Sequence, residues 1–145
     1  MTKAVLIVNP SSGGEKGKEY AALALDTIES MYDEVVIKET TKGGDAEVFA
    51  KAAAKESVEA VFVMGGDGTV NECICGLAEE AYRPKLGIIP LGTVNDVGRA
   101  LGIPLNPEAA IRMLPKAVTK ELDIGKVNDR YFINEIAQKI LYIED

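Results

Sequence analysis

Three glycine-containing polar segments have the residue types expected of loops that bind phosphate. The central segment reads Gly65-Gly66-Asp67-Gly68-Thr69-Val70-Asn71-Glu72, and the other two are residues 9–14 and 90–96. Glycines let the main chain approach an oxygen-rich ligand and turn its N–H groups toward it. A helix that begins near Thr69 would add free N–H groups and the positive end of its dipole. The central segment therefore predicts a phosphate-binding turn.

Asp67 is the unexpected member of this turn, because a carboxylate beside a phosphate should be repelled. The repulsion is relieved if Mg²⁺, or the ammonium of Lys16 or Lys18, lies between the two charges. We therefore predict a metal–nucleotide cradle, with Asp67 as the candidate Mg²⁺ ligand. The simpler alternative is an Asp-Gly turn whose Asp or Thr only caps a helix. The segment matches neither the dinucleotide fingerprint nor the P-loop pattern.

Composition restricts the chemistry that these segments can perform. The chain has 145 residues, 47% of them hydrophobic, which predicts a single water-soluble domain. Its net charge of −7 argues against nucleic acid as a partner. It contains no histidine, which excludes histidine as a catalytic base or metal ligand. Cysteines only at positions 73 and 75, with no long apolar run, predict a cytoplasmic location.

The elements that must position the polar segments alternate along the chain. Short runs of apolar and β-branched residues predict buried parallel strands at residues 4–8, 34–38, 60–64 and 86–89. Helical spacing between them predicts helices near residues 20–31, 46–55 and 70–79, the second capped by Asp45. This alternation predicts a three-layer α/β/α fold with a mostly parallel sheet. Ligands bind at the carboxyl ends of the strands of such sheets, which is where the polar segments lie.

The pattern is less regular after residue 89. It predicts short helices at residues 95–101 and 107–114, then strands at residues 117–127 and 131–133 joined by a turn at Asn128-Asp129. Residues 135–145 fit either a helix or an unfinished strand. Residues 131–133 and 140–143 predict an exposed sheet edge at which two copies could pair as a homodimer.

The central segment resembles the nucleotide-binding signature of the diacylglycerol kinase catalytic domain, which sphingosine kinases and bacterial soluble lipid kinases share. Further segments resemble other parts of that family in the same order. They are Asn9-Pro10-Ser11-Ser12-Gly13, Thr40 with Gly44-Asp45-Ala46, Pro90-Leu91-Gly92-Thr93-Val94-Asn95-Asp96, and residues 123–125 and 130–134. The resemblance runs from about residue 3 to residue 134, and the bacterial diacylglycerol kinases are the most similar branch.

This resemblance implies a Rossmann-like domain, as in NAD kinases and diacylglycerol kinases, that uses ATP and Mg²⁺. The implied reaction transfers the γ-phosphate to a lipid alcohol such as diacylglycerol, through transient contact with a membrane surface. Asp67 and Asp96 would form a charge network around the phosphates with Lys16 or Lys18. The residues implied to line the ATP site are Asn9, Pro10, Ser11, Ser12, Gly13, Thr40, Gly65, Gly66, Asp67, Gly68, Thr69, Val70, Asn71, Glu72 and Thr93.

The resemblance also implies a domain organisation. Residues 1–134 would form the nucleotide-binding domain, and residues 135–145 a tail at the start of a missing or altered second domain. In the family that second domain carries the general base and the lipid-covering surface, so we expect this chain alone to bind ATP weakly and to phosphorylate lipid slowly or not at all. Two alternatives are a phosphotransferase similar to NAD kinase or phosphofructokinase, and a non-catalytic nucleotide-binding module.

Overall fold

The fold is described from a computed structural model that covers residues 1–92, 95–100, 102–127, 130–133 and 138–144. Within these ranges the strands are β1 (Lys3–Val8), β2 (Glu34–Glu39), β3 (Ala60–Gly65), β4 (Lys85–Pro90), β5 (Val118–Val127), β6 (Arg130–Ile133) and β7 (Gln138–Glu144). The α-helices are α1 (Gly17–Glu29), α2 (Asp45–Lys55), α3 (Asp67–Ala78), α4 (Asp96–Ala100) and α5 (Pro107–Met113). None of the described helices combines the length and apolarity that crossing a bilayer requires.

The strands form one mixed sheet in the order β2-β1-β3-β4-β7-β5-β6. The strands from β2 to β7 in this order run parallel, and β5 runs antiparallel to both β7 and β6. In the register, Val5 of β1 pairs with Val36 of β2 and Val61 of β3. The carboxyl ends of β1 to β4 therefore lie along one edge of the sheet, as the sequence predicts.

Helices cover both faces of the parallel part of the sheet. Val5 and Ile7 of β1 join a buried cluster with residues of α2 and α3. Leu6 and Val8 point to the opposite face, where they join a cluster with α1 and α5. Because β1 is buried on both faces, all of its apolar positions face a core, which explains its continuous hydrophobic run. The predicted three-layer α/β/α fold is confirmed.

Residues 138–144 provide the main difference from the predicted topology. Of the two alternatives for the tail, a strand is observed, and β7 lies inside the sheet between β4 and β5. The prediction that residues 140–143 form an exposed edge is therefore wrong, whereas residues 131–133 do lie in the edge strand β6. Pairing of two copies through that edge stays a prediction. The predicted turn at Asn128-Asp129 lies outside the described residues.

Two helices begin differently from the prediction. α3 begins at Asp67, two residues before the predicted start at Thr69. Asp45 is the first residue of α2 and not its cap, because Gly44 occupies the N-cap position with a φ of +92°. The Asp45 carboxylate instead accepts hydrogen bonds from the loop before the helix, where Thr41 N–H donates at 2.8 Å. Both differences place polar groups at the carboxyl edge of the sheet.

Candidate active site

A cleft of about 490 Å³ opens where the loops after β1 and β2 meet α3. Its volume falls within the range of roughly 300–1,000 Å³ that is usual for small-molecule sites. Six of the predicted site residues line the cleft together with three residues that the sequence analysis did not select. The lining residues are Asn9, Pro10, Ser11, Thr40, Thr41, Lys42, Gly43, Thr69 and Glu72. The cleft thus brings together residues as far apart in the chain as Asn9 and Glu72.

Asn9 ties the loop after β1 to the start of α3. Its main-chain N–H donates to the carbonyl of Met64 at 3.0 Å, which continues the pairing of β1 with β3. Its side-chain Nδ2 donates to Thr69 Oγ1 at 3.1 Å. Its Oδ1 accepts from the Ser11 hydroxyl at 2.7 Å and from the Ser11 N–H at 3.2 Å. An asparagine at this position can serve both sides because its amide both donates and accepts.

The first turn of α3 has the features of an anion-binding helix terminus. Gly66 is the N-cap, in extended conformation, and it supplies no side-chain acceptor. Val70 is the first residue of the helix whose N–H has a helical acceptor: it donates to the Gly66 carbonyl at 3.0 Å. The N–H groups of Gly68 and Thr69 therefore have no helical acceptor, and the positive end of the helix dipole lies at the same place.

Two glycines of this turn differ in what requires them. A Cβ at Gly65 would lie 2.9 Å from Thr69 Cβ, so the fold itself excludes a side chain there. A Cβ at Gly68 would meet no atom within 4 Å, and Gly68 is exposed within α3 without a positive φ. Glycine in a helix is about 1 kcal/mol less favourable than alanine. Among the described residues, no contact requires a glycine at position 68. This favours the interpretation that Gly68 leaves space for a ligand to approach the main chain.

Asp67 links the loops that follow β3 and β4. Its Oδ2 accepts the main-chain N–H of Asp96 at 2.8 Å, so the two predicted aspartates lie side by side at the starts of α3 and α4. The predicted lysine partners, Lys16 and Lys18, are exposed near the start of α1. Neither lysine forms an ion pair with the residues that the structure describes. The lysines therefore remain candidates for a role only when a ligand is bound.

The donor set at Asp67 fits a Mg²⁺ ion that arrives with a nucleotide. Within the described ranges, no group of three or more acidic or cysteine side chains could hold a metal ion. Mg²⁺ is usually bound by one or two carboxylates together with substrate phosphates and water, and not by an all-protein cage. A single fixed carboxylate at the start of α3 would suit a site of that kind.

Several predicted site residues do not line the cleft, and they include Gly65, Gly66, Asp67 and Gly68 of the central turn, which adjoins the cleft only through Thr69. The Val70 side chain is buried in the core between α3 and α2, so the prediction that it lines the site is wrong for its side chain. Gly13 packs against the start of α1, where its Cβ would lie 2.5 Å from Gly17 Cα. Ser12 is half-buried and Asn71 is exposed on α3, and neither lines the cleft. Thr93 lies outside the described residues.

The residues that the sequence analysis missed belong to the loop after β2. Thr41, Lys42 and Gly43 line the cleft beside the predicted Thr40. Two carboxylates hold this loop: Asp45 Oδ2 accepts from Thr41 N–H, and Glu72 Oε1 accepts from Gly44 N–H at 3.0 Å. One feature of the sequence could have indicated Thr41, Lys42 and Gly43 as site residues. They directly follow a predicted strand, and the carboxyl ends of parallel strands are where ligands bind.

Asp45 should make the stability of the domain depend on acid pH. The hydrogen bond from Thr41 N–H is the largest cause that lowers the pKa of the Asp45 carboxyl, from its ordinary value of 3.8 to about 2. The ionised carboxylate therefore stabilises the folded chain above about pH 4, and this contribution is lost as the pH falls through about 2. We expect Asp45→Asn to lower the free energy of unfolding at pH 7, and the difference from wild type to shrink between pH 4 and pH 2. Urea titrations of both proteins across this range measure the effect, and a pH-independent difference would contradict it.

Known kinases match most of the chain. A model of the family described as "Diacylglycerol kinase catalytic domain" matches residues 3–127. A diacylglycerol kinase of Staphylococcus carnosus is 44% identical over 132 residues, which cover 91% of this chain and 43% of the relative. A diacylglycerol kinase of Staphylococcus aureus strain MRSA252 is 45% identical, over 91% of this chain and 42% of the relative.

A solved structure agrees with the sequence comparison. The crystal structure of a diacylglycerol kinase from Bacillus anthracis strain Sterne is 37% identical and superposes with a TM-score of 0.83. The match covers 90% of this chain and 45% of that chain. The chain therefore spans less than half the length of the relatives that it matches.

Proposed function

This chain belongs to the diacylglycerol kinase catalytic domain family, and from that premise we propose that it forms the nucleotide-binding part of an ATP-dependent lipid kinase. The proposal depends on the position of Thr69. This residue belongs to the first turn of α3 and also lines the cleft, so the helix terminus and the cleft adjoin each other. A ligand with an anionic end and a larger uncharged end can therefore occupy both places at once. A nucleoside triphosphate is such a ligand.

The proposed binding mode divides the nucleotide between two regions. The phosphates lie against the main-chain N–H groups of residues 66–69, where the helix dipole favours negative charge. The adenosine lies in the cleft, among polar groups of Asn9, Thr40 and Glu72 that can bond to its ring nitrogens and ribose hydroxyls. Phosphoryl transfer depends mainly on such positioning and on charge stabilisation.

We propose that Asp67 holds the Mg²⁺ ion that accompanies ATP. The ion, when bound, neutralises charge between the carboxylate and the phosphates. The chain itself orients the Asp67 carboxylate, because the Asp96 N–H donates a hydrogen bond to one of its oxygens. Asp96 lies beside it at the start of α4, and its carboxylate is the second candidate member of the charge network.

The acceptor in this proposal is a lipid alcohol such as diacylglycerol, presented at a membrane surface during transient contact. Support comes from the matched relatives, which are named diacylglycerol kinase. Among the described residues we assign no general base, since a carboxylate that holds a metal ion is a weak base. We therefore propose that the base and the lipid-covering surface lie in a second domain, outside the nucleotide-binding domain described above.

Two measurements test this proposal. Calorimetric titration of the 145-residue chain with Mg·ATP should show saturable binding to one site, and no heat of binding up to millimolar nucleotide would contradict the nucleotide site. An assay of phosphate transfer from labelled ATP should compare diacylglycerol, NAD and fructose 6-phosphate as acceptors for the protein that contains both domains. Transfer to NAD or the sugar instead of the lipid would contradict the acceptor class. Rapid lipid phosphorylation by the 145-residue chain alone would contradict the proposed need for a second domain.

A further inference from the structure

The nucleotide cleft contains a cation that none of the recognised motifs contains. Among the described residues that line the cleft, Lys42 is the only positively charged one, and Glu72 is the only negatively charged one. The Lys42 side chain is 78% exposed, so its ammonium stays hydrated. Lys16 and Lys18, which the family resemblance suggests as phosphate partners, do not line the cleft.

Asp45 holds this lysine at the rim of the cleft. The Lys42 ammonium lies 3.2 Å from Asp45 Oδ1. The other oxygen, Oδ2, accepts from the Thr41 N–H, the Thr41 hydroxyl and the Lys42 N–H at 2.8 to 3.1 Å. The carboxylate is thereby fixed on the main chain of the same loop, and it offers the ammonium one defined resting place.

Glu72 fixes the other end of this loop. Its Oε1 accepts the Gly44 N–H at 3.0 Å, which joins the loop to α3 on the opposite side of the cleft. The segment that carries Lys42 is therefore held at both ends, by Asp45 and by α3. An exposed ion pair is weak, so a lysine held in this way can exchange its partner for a more highly charged one.

We propose that Lys42 pairs with the polyphosphate of the bound nucleotide and that Asp45 is the partner that its ammonium leaves when the nucleotide binds. This inference rests on the proposed function. Its electrostatic reason is that a chain with a net charge of −7, and a cleft that contains Glu72, should otherwise repel ATP. On binding, the ammonium leaves the Asp45 carboxylate for phosphate oxygens, which form stronger charge-assisted hydrogen bonds.

The test is a charge series measured by calorimetry with Mg²⁺ present. Lys42→Met should weaken ATP binding about tenfold, should weaken ADP binding less, and should weaken adenosine binding least. Lys42→Arg should restore most of the affinity for ATP, because it restores the charge. Asp45→Asn removes the partner that Lys42 has to leave, so ATP binding should equal that of wild type or be slightly tighter, and a clear loss of ATP affinity would overturn the exchange of partners. Lys38→Met is the matched control, since Lys38 is exposed on β2 and does not line the cleft.

The possible outcomes separate this inference from the proposed function. If the wild-type chain binds ATP but Lys42→Met binds it equally well, the inference is overturned and the nucleotide site stands. An equal loss for adenosine and ATP would overturn the phosphate contact in favour of a contact with the base. A loss in Lys18→Met alone would assign the role to Lys18. If the wild-type chain does not bind ATP, both proposals are overturned.

Discussion

Asp67→Ala should abolish Mg·ATP binding, lowering the affinity at least about 100-fold, or about 2.8 kcal/mol. The substitution removes the proposed Mg²⁺ ligand, and it removes the acceptor of the Asp96 N–H. The chain should stay folded, because Asp67 is only partly buried and the sheet and both apolar clusters are unchanged. Calorimetry measures the affinity, and thermal unfolding measures the stability of the variant.

Asp67→Asn is the matched control for the charge. The asparagine carbonyl can still accept the Asp96 N–H, so the loop geometry should survive, but a neutral amide is a poor ligand for Mg²⁺. We expect this variant to bind ATP weakly and to lose the gain in affinity that Mg²⁺ gives the wild type. Wild-type affinity for Mg·ATP in Asp67→Asn would show that the carboxylate only joins two loops and takes no part in binding the nucleotide.

Gly68→Val should weaken ATP binding at least about 30-fold, or about 2 kcal/mol, and leave the thermal stability close to that of wild type. The new side chain would point into open space in the present structure, because no atom lies within 4 Å of its Cβ position. Valine also has a slightly higher helix propensity than glycine, so the fold gives no reason for destabilisation. The affinity should fall because the side chain occupies the space through which phosphate approaches the main chain.

Gly65→Ala is the control for a glycine that the fold itself needs. Its Cβ would lie 2.9 Å from Thr69 Cβ, so we expect a loss of about 1–3 kcal/mol in unfolding free energy. The two variants should therefore show opposite behaviour, one losing affinity and the other losing stability. If Gly68→Val binds ATP as tightly as wild type, the first turn of α3 is not the phosphate site.

Buried parallel strands were the most predictable part of the fold. The run at residues 60–64 predicts β3 to within one residue, since Ala60–Gly65 is observed. A strand covered on both faces by helices is apolar at every position, and this pattern is visible in the sequence alone. The position of the turn at residues 65–69 was predictable for the same reason, because it directly follows such a strand, and its role in binding phosphate stays a prediction.

The position of β7 was not predictable from local pattern. Its place between β4 and β5 depends on pairing across the sheet, such as that of Leu86 with Tyr142, and no residue within the tail indicates its neighbours. The contribution of Thr41, Lys42 and Gly43 to the cleft was missed for a similar reason. It depends on β2 lying beside β1, which the order of strands in the sheet decides and the loop sequence does not.

The most direct test is a titration of the isotope-labelled 145-residue chain with Mg·ATP, followed by amide NMR. We expect the largest shifts at Gly66, Gly68 and Thr69, with smaller shifts at Asn9 and Thr40 across the cleft. Shifts confined to the opposite edge of the sheet, for example near Tyr82, would contradict it, and so would a spectrum that ATP leaves unchanged.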